Sequence, residues 1–275
     1  MTDTRSILIT GCSSGIGYAC AHGMKARGWR VFATARKKKD VTRLESEGLE
    51  TLHLDYRDPN SIAKCAQVVL KRTDGKLTAL FNNGGYGQPG AVEDLPMDAL
   101  RQQFETNFFG WHDLTTRILP AMRKRGSGRI VQCSSCLGLV SLKYRGAYNA
   151  TKFALEALSD ALRQEMADSD IHVSLIEPGP IATRFTENSL VEYKANIDLT
   201  GSVHADIYKQ RIAKMEDGIP TPHTLGPEAV LDKLVHAVES PRPHAHYYVT
   251  KATYMLSGAR RLFSARFIDR LTAGQ

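Results

Sequence analysis

Short apolar runs alternate with helix-patterned segments along almost the whole chain, and this alternation constrains the fold more than any other feature. The runs lie at 7–9, 31–33, 52–54, 77–81, 130–131 and 173–176, and the helical patterns at 15–27, 59–72, 97–119, 146–166 and 227–239. Strands separated by helices read as βαβ units, which build a parallel sheet. Several runs lack the two-residue alternation of a half-exposed strand, so both of their faces are expected to be covered. The expected fold is therefore α/β, with a doubly wound Rossmann-type parallel sheet and helices on both faces.

No repeat, low-complexity tract or linker interrupts the pattern, so residues 1–275 are expected to form one domain. Two stretches depart from the rhythm. Residues 180–222 have mixed polarity and end in the turn-rich Gly218-Ile219-Pro220-Thr221-Pro222, which predicts a mobile insertion over a site. Residues 251–275 form a basic and apolar extension.

A content of 42% apolar and 24% charged residues belongs to a chain that buries a substantial core, not to a disordered or fibrous one. No run of about 18 apolar residues occurs, and the first residues lack a signal-peptide pattern, so a cytoplasmic location is expected. Five cysteines are an odd number and fit reduced thiols. Cys133 and Cys136 form a C-x-x-C with no second pair to complete a zinc site, so no metal is expected. The formal charge of +7 points weakly to nucleic acid or an anionic membrane. The densest basic run, Arg36-Lys37-Lys38-Lys39, instead follows a strand where a nucleotide phosphate would sit, so no nucleic-acid partner is expected.

The first strand enters Thr10-Gly11-Cys12-Ser13-Ser14-Gly15-Ile16-Gly17 and then a helix. A glycine-rich turn in that position is where a dinucleotide pyrophosphate meets the N–H groups of a helix start. Gly11 permits the tight turn, Gly15 the close approach of backbone, and Gly17 the packing of helix on strand. An acidic residue about twenty positions further on would bind ribose hydroxyls. Here the second strand ends in Arg36, whose guanidinium suits a 2′-phosphate by charge and by fork geometry. The pattern therefore favours NADP(H).

Tyr148-Asn149-Ala150-Thr151-Lys152 places a phenol and an ammonium four residues apart in a helical pattern, on one face. A free tyrosine titrates near ~10, and a nearby lysine charge is expected to lower that value enough for proton transfer at neutral pH.

Together with the glycine turn, Asn82-Asn83-Gly84-Gly85, Ser134-Ser135 and Pro178-Gly179, the pair makes residues 5–250 resemble the short-chain dehydrogenases/reductases. The resemblance implies a proton-transfer role for Tyr148, a hydrogen bond from Ser135 to the substrate oxygen, and a relay water held by Asn107. It further implies that Lys152 holds the nicotinamide ribose and Asp55 contacts adenine. Asn83 and Gly84 would line the cofactor cleft with Gly11, Ser13, Ser14, Gly15, Ile16 and Gly17, and Pro178, Gly179, Ile181 and Thr183 would meet the nicotinamide. Gly85 departs from the family, which more often has alanine there, and the missing methyl is expected to loosen the turn.

Within the family, Gly146-Ala147-Tyr148 and the segments at 153–156 and 173–180 resemble the retinol dehydrogenase, 17β-hydroxysteroid dehydrogenase and bacterial aldehyde reductase branch. That implies an apolar carbonyl or alcohol substrate, and Tyr86, Leu137, Leu139, Val140, Leu142 and Tyr144 are expected to wall its pocket. A homodimer or homotetramer is the expected assembly. One alternative is an isomerase or dehydratase that uses the dinucleotide catalytically. Another is a dinucleotide-binding regulatory or scaffold protein without turnover, against which the Ser135, Tyr148, Lys152 and Asn107 set argues. Residues 251–271 raise a third, membrane-surface contact, but on a single helical wheel Arg266 and Arg270 fall among the apolar positions, and packing at a subunit contact with snorkelling arginines accounts for the segment at least as well.

Overall fold

Ser6–Ile9 is buried at all four positions. Successive strand residues face opposite ways, so burial at every one requires cover on both faces, which is why these runs carry no polar alternation. The computed structural model describes residues 5–218 and 223–272. The first half runs β1 (Ser6–Ile9), α1 (Gly15–Ala26), β2 (Arg30–Ala35), α2 (Lys38–Ser46), β3 (Glu50–His53), α3 (Pro59–Arg72), β4 (Ala79–Asn82) and α4 (Met97–Phe104). Then come α5 (Gly110–Arg125), β5 (Ser127–Cys133), α6 (Gly146–Glu165), β6 (Asp170–Glu177), α7 (Phe185–Asn196), α8 (Ala205–Glu216) and α9 (Glu228–Glu239). The chain closes with β7 (His246–Tyr248), α10 (Lys251–Leu262) and α11 (Ala265–Thr272).

The seven strands form one sheet in the order β3-β2-β1-β4-β5-β6-β7, and every pairing is parallel. The order reverses between β1 and β4. Loops leaving the C-terminal ends of these two strands diverge to opposite faces, and the crevice between them is where ligands of such sheets bind. Asp58 caps α3 by accepting from the Asn60 amide, with Pro59 at the first helical position, as the sequence implies.

The structure departs from the expected elements in five places. The pattern at 97–119 is not one helix: a π-helical turn, Glu105–Phe109, separates α4 from α5. The basic run at 36–39 leads into a helix, α2. The stretch at 180–222, expected as an insertion over a site, contains two helices that the sequence did not show, α7 and α8, which share a small core of Tyr193, Ile197 and Tyr208 with Ala91. Of its turn-rich end, 219–222 lie outside the described residues. The edge strand β7 has only three residues and is defined by its pairing to β6. The extension from 251 is two helices, not one.

Candidate active site

The loops after β1, β4, β5 and β6 converge at the C-terminal edge of the sheet. Gly11 and Gly15 adopt φ of +70° and +59°, which L side chains rarely take. A β-carbon on Gly11 would lie 2.4 Å from the Gly84 α-carbon, so the β1 and β4 loops touch backbone to backbone. Thr10 locks this contact: its hydroxyl accepts from the Asn83 and Gly84 amides at 2.8 and 3.1 Å. The Asn83 side chain donates to the Thr10 carbonyl at 3.0 Å. Gly17 packs where a β-carbon would meet the Gly11 carbonyl at 2.4 Å.

Beside this turn lies a groove of about 580 Å³ lined by Ser13, Ser14, Gly15, Arg43, Thr183 and Arg184, among others. The glycine turn and the backbone amides at the start of α1 fit a dinucleotide pyrophosphate. Ile16 is turned toward the core. Arg36 is exposed just beyond β2. Arg43 was not among the sequence candidates, yet its guanidinium donates to the Ser13 carbonyl at 2.7 Å, placing a second cation at the phosphate turn. Nothing local signals that contact, since its partner is thirty residues away. Asp55 follows β3 and accepts from the Arg57 amide at 3.0 Å.

The first turns of α6 carry Tyr148 and Lys152. The Lys152 ammonium is buried, donates to the Cys133 carbonyl at 2.7 Å, and lies 4.3 Å from the Trp111 ring centre and 5.6 Å from that of Tyr148. Burial draws its pKa down to about 8. The expected lowering of Tyr148 is not what this geometry gives. Burial pushes the phenol well above its ordinary value, and only partly does the hydrogen bond with Ser135 oppose it. Phe185 of α7 packs edge-on against the Tyr148 ring at 5.3 Å. The Ser135 hydroxyl accepts from the Leu137 amide at 3.1 Å and donates weakly toward the Cys136 sulfur at 4.0 Å.

Asn107 sits in the π-helical turn, fully buried. Its side chain accepts from the Tyr86 amide at 3.2 Å and donates to the Tyr86 carbonyl at 2.8 Å. A β-carbon on Gly85 would approach the Asn107 carboxamide oxygen to 2.9 Å. Glycine there leaves the space in which the asparagine clamps the loop.

The β6 loop completes the site. The Pro178 carbonyl accepts from the Cys136 amide at 2.8 Å, tying this loop to the one carrying Ser135. Gly179 lies against Thr250, Ile181 pairs with Leu225, and the Thr183 β-carbon packs over Gly15. Behind Lys152, Glu156, Glu177 and His246 bring their polar atoms within 4.8 Å of one another. His246 Nδ1 is 2.6 Å from Glu177 and 3.7 Å from Glu156, and burial pushes the Glu156 carboxyl up to about 8. Arg145, at the N-cap of α6, was also missed; its Nη1 is buried without a hydrogen-bond partner, within electrostatic reach of Tyr193 and Tyr148.

A family model described as short chain dehydrogenase matches residues 5–194. The chain belongs to the short-chain dehydrogenases. Over 271 residues it is 45% identical to the uncharacterized oxidoreductase YbbO of Escherichia coli strain K12, spanning 98% of this chain and 94% of that one. It is 31% identical over 278 residues to the NADPH-dependent 3-dehydrocapnine reductase of Ornithobacterium rhinotracheale, covering 97% and 95% of the two chains. With human retinol dehydrogenase 8 the identity is 34% over 255 residues, 87% of this short-chain dehydrogenase and 79% of the relative. Like others of its family it is an oxidoreductase that binds a nicotinamide dinucleotide. No helix among the described residues is long and apolar enough to cross a membrane.

Proposed function

We propose that this short-chain dehydrogenase transfers hydride between NADP(H) and an apolar carbonyl or alcohol, with Tyr148 moving the proton. The observation that carries the reading is the meeting of Tyr148, Lys152 and Ser135 at the crevice where the sheet order reverses. When bound, the nicotinamide supplies or accepts the hydride. Ser135 donates to the substrate oxygen and holds it beside Tyr148, which protonates that oxygen as the carbonyl becomes an alcohol. Lys152 keeps a positive charge under the phenol and reaches the nicotinamide ribose, and Asn107 fixes the loop at Tyr86 and steadies a relay water. Arg36 and Arg43 hold the 2′-phosphate. The NADPH-dependent relative supports that cofactor.

Phe185 supplies apolar surface against Tyr148, which favours aldehydes and ketones of medium size. Arg145, whose buried Nη1 has no hydrogen-bond partner, favours a second reading, in which the substrate also bears an anionic group. Initial rates of NADPH oxidation on matched neutral ketones and keto acids separate the two. Faster turnover of the neutral series supports the apolar reading, and faster turnover of the acids assigns Arg145 to the substrate. No NADPH consumption by any carbonyl, and no NADP⁺ reduction by any alcohol, refutes the proposed reaction.

A further inference from the structure

The end of the chain carries a surface that the catalytic reading leaves unused. Met255, Leu262, Phe263, Phe267 and Leu271 are all exposed, Leu262 to 80% and Met255 to 68%. Phe263, Phe267 and Leu271 follow one another at four-residue spacing, and the two phenyl rings stack at 4.3 Å. None of them is needed to hold the helices down. Leu256 of α10 and Ile268 of α11 point the other way, into a separate cluster with Val140 and Leu137.

Cations are concentrated in the same segment. Residues 251–272 contain Lys251, Arg260, Arg261, Arg266 and Arg270 against the single acid Asp269, more than half of the chain's excess of +7. Arg261, Arg266 and Arg270 are exposed and have no ion pair among the described residues. A single wheel through 251–271 hides this order, because the helix stops at Leu262 and a new one starts at Ala265 with a different phase. Read as two helices, the segment has a buried side, an apolar stripe and a basic stripe beside it.

We propose that α10 and α11 form a docking face for an anionic lipid bilayer. The apolar stripe enters the boundary between headgroups and acyl chains, and the arginines reach outward to lipid phosphates with their stems along the apolar surface. A second copy of the chain is the poorer occupant. A two-fold contact apposes the patch to itself and so brings together two surfaces that each carry five cations and one acid. An anionic bilayer meets the charge and the apolar stripe together.

The face is joined to the catalytic loops. Thr250, the N-cap of α10, lies so close to Gly179 that a β-carbon there would come within 2.1 Å of its hydroxyl. Further along, α10 packs on the turn Cys136–Gly138 that directly follows Ser135. A docked molecule thus holds the site beside the lipid surface, where apolar carbonyls concentrate. This delivery step rests on the proposed substrate class, whereas docking does not.

Sedimentation of the full-length protein with vesicles separates the two. The protein is expected to pellet with phosphatidylcholine–phosphatidylglycerol vesicles and to lose at least about tenfold in partitioning on pure phosphatidylcholine or in high salt. Phe267→Ser with Leu271→Ser, and separately Arg266→Glu with Arg270→Glu, should each cause a similar loss with NADPH affinity unchanged. Failure of the wild type to pellet with the anionic vesicles, or pelleting of both variants as complete as that of the wild type, overturns the proposal. So does light scattering that shows a dimer broken by Phe267→Ser with no vesicle binding. Docking without any rate advantage for a vesicle-borne aldehyde over a soluble one refutes delivery alone.

Discussion

The two ends of the candidate site are built on opposite principles. Around Tyr148 several polar groups are buried and fastened: Lys152 to the Cys133 carbonyl, Asn107 to Tyr86, and the Pro178 carbonyl to Cys136. At the far end Arg36 stands exposed beyond β2, and charge alone recommends it. A buried group shifts its pKa and fails badly when a partner is lost, whereas an exposed one acts through modest, screened attraction. The proton-transfer end should therefore respond to single substitutions by orders of magnitude and the cofactor-choosing end by about tenfold.

The largest expected effect is at Tyr148. Tyr148→Phe keeps the ring against Phe185 and removes the proton, so kcat should fall by roughly 10²–10⁴ while the Kd for NADPH stays within about twofold. Stopped-flow turnover with fluorescence titration tests both halves, and a near-wild-type kcat would break the contrast at its centre. Asn107→Ala comes next. It strands the Tyr86 amide and carbonyl, and should cost about 1–3 kcal/mol in urea unfolding. An unchanged midpoint would mean that the clamp is idle.

The opposite end responds less. Arg36→Asp should weaken NADPH at least tenfold, about 1.4 kcal/mol, and strengthen NADH through its ribose hydroxyls. Equal binding of both cofactors by the wild type would remove Arg36 from the site. A response as large as that of Tyr148 would erase the difference between the two ends.

The smallest effect is on stability and is set by pH. Glu156 holds its proton in the folded state up to about 8, whereas a free glutamate ionises near ~4.3. Between those values the folded chain binds more protons than the unfolded one, so the wild type loses stability as pH rises, and above about 8 this loss is complete. Glu156→Gln does not titrate. Its advantage in Tm should therefore grow by a few degrees from pH 5 to 8 and stay level beyond. A gap that does not change with pH would show that the carboxyl near His246 titrates normally.

What could be read from the residues follows the same division. Strands buried on both faces announce themselves as apolar runs, and Tyr148, Lys152 and the glycine turn are legible because a fixed short spacing carries their geometry. The π-helical turn at Asn107 is invisible, since five residues of ordinary helical composition give no sign of one extra residue per turn. α7 buries little beyond Ser189 and Tyr193, too sparse a face to show a period. β7 owes its existence to β6, and Arg43 meets Ser13 only once the sheet is assembled. The raised Tyr148 pKa could not be foreseen either, because burial is a property of the fold, not of a spacing.

The packing of Thr183 on Gly15 has a consequence for traffic through the enzyme. The segment that leads into α7 rests directly on the phosphate turn, so the roof over one ligand is also the bolt on the other. On the reading proposed above, any shift of that roof to admit one ligand is felt at the turn that holds the other.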